Sequence, residues 1–256
     1  MWRVFSASAA GKRNLEHGEA SQDACHHIVT NDLLVAVVCD GAGSVREGRT
    51  GSNFIARNLA EHLSSALGAG AEPSRPDMQP AGSARLDAAI REAIEAVRTR
   101  LGDLAASREL ALHELSCTLV GCAASPGGGC LFHVGDGFAI VQSAAGDSLI
   151  SGPENGEYAD ETYFVTDENW MDHLRITPLP APERGSLIGL MSDGPAPFAV
   201  NRARSGFFRP FIDPIAAFLG EANARNGNEA LRNLLESPRA SEISHDDKTL
   251  LLAFVL

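Results

Sequence analysis

The sequence predicts an α+β fold of layered, largely antiparallel sheets with helices outside them. Short apolar runs of strand length occur in neighbouring pairs joined by tight turns, and two longer stretches carry apolar residues at helical spacing. The order along the chain is strands, two helices, more strands, helices and a closing strand. A parallel, doubly wound sheet would need helical crossovers that the middle of the chain lacks. No internal repeat is visible, and residues 1–256 read as a single domain, long enough to bury a core without disulfides or a cofactor.

Trp2 to Ser8 alternates weakly and reads as a first strand. Ala24 to Val29 and Leu33 to Cys39 form a pair around the turn Thr30-Asn31-Asp32. LLVAVVC at 33–39 is apolar on both faces, which predicts a strand buried between layers. Arg49 to Leu67 places Phe54, Ile55, Leu59, Leu63 and Leu67 at helical spacing. Gly68 to Ser83, with Pro73, Pro76 and Pro80, reads as a loop between helices. Leu86 to Leu112 is a second helical pattern, with Gly102 expected to interrupt it. Strand periodicity returns in Leu115 to Ala124, Cys130 to Val134, Phe138 to Gln142 and Ser148 to Ser151. Gly152 to Arg184 is irregular, acidic and aromatic, and is expected to form a flap bordering a site. Leu187 to Met191 is a short strand, Pro210 to Leu219 and Asn228 to Leu235 are helical, and Lys248 to Leu256 closes the chain as a buried strand.

The formal net charge is −12, from 33 acidic and 21 basic residues, and no Lys/Arg cluster offers the basic face a nucleic-acid binder needs. The five cysteines, Cys25, Cys39, Cys117, Cys122 and Cys130, are odd in number and lack CxxC spacing, and most lie in apolar strands. They read as reduced thiols of a cytoplasmic protein. The opening MWRVFSASAAGKRN has no apolar signal core, and no apolar run approaches the roughly 20 residues of a membrane span.

The recurrent chemical feature is an aspartate at the end of an apolar run, followed by glycine: Asp40-Gly41, Asp136-Gly137 and Asp193-Gly194. Asp246-Asp247 precedes the closing strand, and Asp23 precedes the second. Carboxylates gathered from distant segments repel one another unless a cation stands between them, and hard oxygen donors select Mg²⁺, Mn²⁺ or Ca²⁺ over zinc. A lone Asp-Gly is more often a turn than a site, so these residues alone leave both readings open. Gly41-Ala42-Gly43 lacks the third glycine of a dinucleotide loop, and His26, His27, His133 and His245 lack zinc-ligand spacing.

In order and context these segments resemble the metal-dependent protein phosphatase family, protein phosphatase 2C, and its bacterial branch in particular. The resemblance is carried by Ser21-Gln22-Asp23-Ala24, Cys39-Asp40-Gly41-Ala42-Gly43-Ser44, Cys117-Thr118-Leu119-Val120, Val134-Gly135-Asp136-Gly137, Ser192-Asp193-Gly194, Asp246-Asp247-Lys248-Thr249 and the segment GEYADETYFVTD. It implies an αββα sandwich of two antiparallel sheets flanked by helices. It also implies Mg²⁺ or Mn²⁺ bound as a pair, with a third, weaker site. Carried over residue by residue, Asp40 bridges the pair, the Gly41 carbonyl binds one metal, and Asp193 and Asp246 complete the other. Asp136 aligns with the aspartate of the third site, and Asp23 with an early acidic residue that holds metal-bound waters. Asp23, Asp40, Asp193 and Asp246 would then carry direct hydrolysis of phosphoserine and phosphothreonine in a phosphorylated protein substrate. An opposing Ser/Thr kinase is the implied partner, and the molecule is expected to be a monomer.

The chain departs from that pattern. Gly18 stands where many relatives place a phosphate-gripping arginine, Asn14 where the branch often has histidine, and Gln22 where many have glutamate. Lys12, Arg13, Arg46 and Arg49 are candidates for the missing charge. The missing arginine also raises an alternative function, a catalytically weak pseudophosphatase acting as a binding or sensor module.

Overall fold

The computed structural model describes residues 2–68, 80–153 and 162–256. Ten strands form two five-stranded sheets, antiparallel throughout. The first contains β1 (Trp2–Ala9), β10 (Lys248–Val255), β9 (Leu187–Met191), β6 (Phe138–Gln142) and β7 (Ser148–Ser151), in that spatial order. The second contains β2 (Ala24–Thr30), β3 (Leu33–Cys39), β4 (Leu119–Ser125), β5 (Gly128–Val134) and β8 (Arg175–Leu179).

Strand periodicity explains the layering. Along β3, Val35, Val37 and Cys39 point into one buried cluster, while Leu34, Ala36 and Val38 point into another. The first cluster lies beneath α2 (Gly48–Gly68) and α3 (Pro80–Ser107), which contribute Ile55, Leu59, Ile90 and Ile94. The second lies between the sheets, where Leu34 and Val38 share a core with Leu190 and Leu251. A third cluster covers the far side of the first sheet. There Phe5, Leu250 and Leu252 pack with residues of α6 (Arg209–Glu221) and α7 (Ala224–Leu235). Helices, sheet, sheet and helices make the αββα sandwich. A strand apolar on both faces is what the middle of such a stack requires.

Four short helices complete the described chain: α1 (Lys12–His17), α4 (Trp170–His173), α5 (Ala196–Ala199) and α8 (Pro238–Ile243). None has enough periods to register as an amphipathic pattern. Two expectations are corrected. Gly102 does not interrupt α3, which runs through it because a solvent-side glycine costs only about 1 kcal/mol in a 28-residue helix packed along its length. The helix ends earlier than expected, at Ser107, and a 3-10 turn covers Leu112–Leu115, so β4 begins only at Leu119.

The segment after Gly152 is also more ordered than its composition suggests. Thr162 to Leu179 includes α4 and the edge strand β8, and Arg98 donates to the carbonyls of Val165, Thr166 and Asp167. Residues 154–161, an early part of the expected flap, and 69–79, most of the proline-rich loop, lie outside the described residues. The loop ends sooner than read, since α3 begins at Pro80. All five cysteines are free, and four of them are buried. Among the described residues no helix is long and apolar enough to cross a membrane.

Candidate active site

Antiparallel register brings the expected carboxylates to one edge of the sandwich. Ala24 pairs with Cys39, Val38 with Val120, and Leu119 with Val134, so the start of β2, the end of β3, the start of β4 and the end of β5 coincide. In the other sheet Met191 pairs with both Leu250 and Phe138. The turns holding Asp40, Asp136, Asp193 and Asp246 therefore open onto one cleft of about 560 Å³.

Each turn is strapped to its neighbour. The Asp40 N–H donates to the Thr118 hydroxyl at 3.0 Å, Thr118 N–H to the Asp40 carbonyl at 2.9 Å, and Ala42 N–H to the Ser116 carbonyl at 2.9 Å. Gly41 is required by close approach: a Cβ there would lie 2.5 Å from the Gly48 carbonyl carbon and 2.7 Å from the Gln22 carbonyl oxygen. Gly194 answers the same need, since its Cβ would meet the Asp247 carbonyl at 1.9 Å. Thr162 donates to Asp136 Oδ2 at 2.7 Å, and Phe164 joins it on the cleft wall, so these two residues of the expected flap border the site.

Asp23 stands beneath the cleft rather than on its wall, and it is buried. Its Oδ2 accepts from the Ser192 hydroxyl at 2.6 Å, and the same oxygen of Ser192 accepts from Thr249 N–H at 3.0 Å. Asp246 is exposed at the rim, and its Oδ1 accepts from the Asp247 N–H at 2.9 Å. Asp247, named in the closing motif but given no role there, is buried and takes four hydrogen bonds from Gly11, Asn14 and Gln22. Asn14 is thereby turned to Asp247. Thr118, Thr162, Ser192 and Asp247 are the supporting residues that no spacing singled out, although all four sit inside the segments that carry the family resemblance.

Of the four candidate cations, Arg13 and Arg46 line the cleft. Lys12 reaches toward Glu16 at 3.9 Å, and Arg49 lines a separate groove with Arg57 and Arg108.

The electrostatics are those of acids crowded without a counter-charge. Burial first, and then repulsion from Asp23, Asp193, Asp136 and Asp246, raises the Asp40 pKa well above the carboxylate range. Burial, with Asp246 and Asp136 nearby, lifts Asp193 to about 6. Burial lifts Asp23 to about 7, against the Ser192 hydrogen bond and with repulsion from Asp247. Among the described residues, Oδ1 of Asp23, Asp136 and Asp193 are buried without a hydrogen-bond partner. Buried, unpartnered carboxylate oxygens at and beneath the cleft fit a hard divalent cation, which would supply the missing partner. Among the described residues no three acidic, imidazole or thiol side chains yet converge at metal-holding distance. Asp246, bonded to the Asp247 N–H, would have to rotate inward to join Asp40 and Asp193.

The profile described as Protein phosphatase 2C matches residues 10–236, which is most of the chain. The chain belongs to the protein phosphatase 2C family. Membership makes it a phosphatase. It is 31% identical over 261 aligned residues to serine/threonine-protein phosphatase 3 of Escherichia coli (strain K12), with 98% of each chain covered. Among solved structures, the S. agalactiae serine/threonine phosphatase superposes with a TM-score of 0.62 at 16% identity over 100% of both chains. RsbX in complex with magnesium superposes with a TM-score of 0.56 at 14% identity, over 100% of this chain and 94% of that one. At such identities these two likenesses concern the fold alone, and they agree with the αββα layering of this protein phosphatase 2C.

Proposed function

We propose that this chain is a Mg²⁺- or Mn²⁺-dependent protein serine/threonine phosphatase that hydrolyses phosphoserine and phosphothreonine by direct attack of water. The observation that carries the reading is the set of strand-end carboxylates opening on one cleft with buried, unpartnered oxygens. Asp40, the Gly41 carbonyl, Asp193 and Asp246 are the residues that would hold a metal pair, and Asp136 a third, weaker ion. When bound, such ions lower the pKa of a shared water from about 15.7 toward neutrality and neutralise charge on the phosphoryl oxygens.

The protein's own contribution is placement. Thr118 and the 116–118 backbone hold the Asp40 turn, Ser192 and Thr249 hold Asp23 beneath it, and Thr162 orients Asp136. Asp23, fixed beneath the cleft by the Ser192 hydroxyl, is a carboxylate placed to order water below it. A covalent phosphoenzyme through Cys39 is disfavoured, because burial pushes that thiol well above its ordinary pKa and away from the reactive thiolate. The alternative of a catalytically weak sensor finds no support in the family match or in the serine/threonine phosphatase relative.

A Ser/Thr kinase must supply the phosphorylated side chain that this reaction consumes. The free, mostly buried thiols accord with a cytoplasmic setting. The test is hydrolysis of a phosphothreonine peptide by purified protein in EDTA, Mg²⁺ and Mn²⁺. Turnover restored by either metal is expected. Folded protein that binds Mn²⁺ but turns over no phosphopeptide would sink the reading.

A further inference from the structure

We propose that Arg13 is the residue with which this chain grips the substrate phosphate, and that Asp247 is the positioning carboxylate that holds Arg13 at the metal-binding turn. The proposal rests on the phosphatase reading above.

A phosphate monoester dianion entering a cleft bordered by Asp40, Asp136, Asp193 and Asp246 needs cationic side chains as well as metal ions. Among the described residues that line the cleft, the guanidinium groups are those of Arg13 and Arg46. Their positions differ. A Cβ placed on Gly43, two residues after Gly41, would lie 3.8 Å from Arg13 Nη1 and 3.5 Å from Gln22 Oε1. The Arg13 guanidinium thus reaches from α1 to the far end of the Asp40-Gly41 turn. Among the described residues no hydrogen bond or ion pair occupies it, so its planar donor fork is available for bidentate contact with phosphoryl oxygens.

α1 could not hold that position alone. It has six residues, buries none of them and lacks a side-chain N-cap. A helix so short is unstable without tertiary support. Asp247 supplies the support. Its Oδ1 accepts from Gly11 N–H at 2.5 Å, both its oxygens accept from Asn14 Nδ2 at 3.0 and 2.8 Å, and its Oδ2 accepts from Gln22 N–H at 2.5 Å. The Lys12 N–H adds a bond to the His245 carbonyl at 2.8 Å. Gly11 is wedged against the same turn, since a Cβ on it would meet the His245 carbonyl oxygen and the Asp246 carbonyl carbon at 2.5 Å. A buried carboxylate satisfied by both ends of the 11–22 segment therefore ties Arg13 to the turn that carries Asp246. The Gly18 position needs no arginine if the cation arrives from α1.

The experiment measures phosphothreonine-peptide kinetics with saturating Mn²⁺, together with calorimetric binding of Mn²⁺ and of inorganic phosphate to the Mn²⁺-loaded protein. Arg13→Ala should raise KM and the phosphate dissociation constant by about 10-fold or more, the worth of a charge-assisted hydrogen-bond pair, while Mn²⁺ affinity holds. Arg13→Lys should recover part of the loss, and Arg46→Ala should change phosphate binding less than Arg13→Ala does. Asn14→Ala removes two of the bonds to Asp247 without touching the Asp246 turn, and should weaken phosphate binding in the same direction. Combined with Arg13→Ala it should add little further loss, because both changes disable one group. Unchanged phosphate binding in Arg13→Ala, or a larger loss in Arg46→Ala, would overturn the assignment of Arg13. Additive losses in the double variant would overturn the positioning role of Asp247. If the wild type showed no turnover the phosphatase reading would fail, whereas phosphate binding to the Mn²⁺-loaded protein would still decide on Arg13.

Discussion

At the residue scale the site crowds buried carboxylates at a cost in stability that the proposed metal ions would offset. Asp40 and Asp193 hold raised pKa values because they are buried beside other carboxylates, and the Asp193 Oδ1 has no partner. Replacing either by asparagine keeps the shape and removes a charge. Asp40→Asn and Asp193→Asn should each lower metal-dependent turnover by roughly 100-fold or more, beyond the 10- to 100-fold typical of outer-shell changes. In EDTA the same variants should melt at a temperature equal to or above that of the wild type, since the cost of burying an acid, as a charge or by taking up a proton, has gone. A turnover assay and a melting curve on the same preparations check both halves. Undiminished turnover in Asp40→Asn would remove that residue from the proposed metal set.

At the scale of elements, the strand ends must approach closely for the turns to share a cleft. Gly194 follows Asp193 at the end of β9 and faces the Asp247 carbonyl ahead of β10. Gly194→Ala should destabilise the protein by about 1–3 kcal/mol through overpacking, measured by denaturant unfolding, and should lower activity with it. A second element-scale prediction concerns β5. His133 is fully buried, with the Ser151 hydroxyl and Arg175 Nη2 each 3.0 Å from its Nδ1. A guanidinium only donates, so Nδ1 accepts and the ring is neutral with its proton on Nε2. Burial and the neighbouring Arg175 charge hold its pKa down to about 3, against a backbone hydrogen bond at Gly135 that acts the other way. The unfolded chain protonates His133 near pH 6.5 and the folded chain only near 3, so this residue's contribution is present above 6.5 and drains away as pH falls through that window. Unfolding free energy measured between pH 7 and 4 should fall less steeply in His133→Gln than in the wild type.

At the scale of the whole molecule, the proposed metal site would join parts of the chain from both sheets. Asp40 and Asp136 follow strands of one sheet, whereas Asp193 and Asp246 flank strands of the other. An ion bound among them clamps the two halves of the sandwich at one edge. Any ligand that binds the folded state alone stabilises it by mass action, about 2.7 kcal/mol at 100 times its Kd. Mn²⁺ should therefore raise the melting temperature in a concentration-dependent way and EDTA should reverse the shift. Asp193→Asn should blunt that response, whereas a distant core change such as Leu190→Ala should lower the baseline by roughly 2–5 kcal/mol and leave the response in place.

Much of this protein could be read without its structure. The strands at Leu33–Cys39, Phe138–Gln142, Ser148–Ser151 and Leu187–Met191 fall where apolar runs meet turn residues, because period-two patterning and Asp-Gly turns are local properties. The aspartates at those turns were legible for the same reason. The sequence did not announce β8 or α4, whose order comes from Arg98 and from pairing with β5 rather than from their own composition. Nor did it separate Arg13 from Lys12, Arg46 and Arg49, or mark Asp247 as a hub. Local propensity and spacing set which residues end a strand. Which of them face one another, and which cation reaches them, depends on register and packing between segments more than 200 residues apart, as Gly11 and Asp247 are, and only the folded chain decides that.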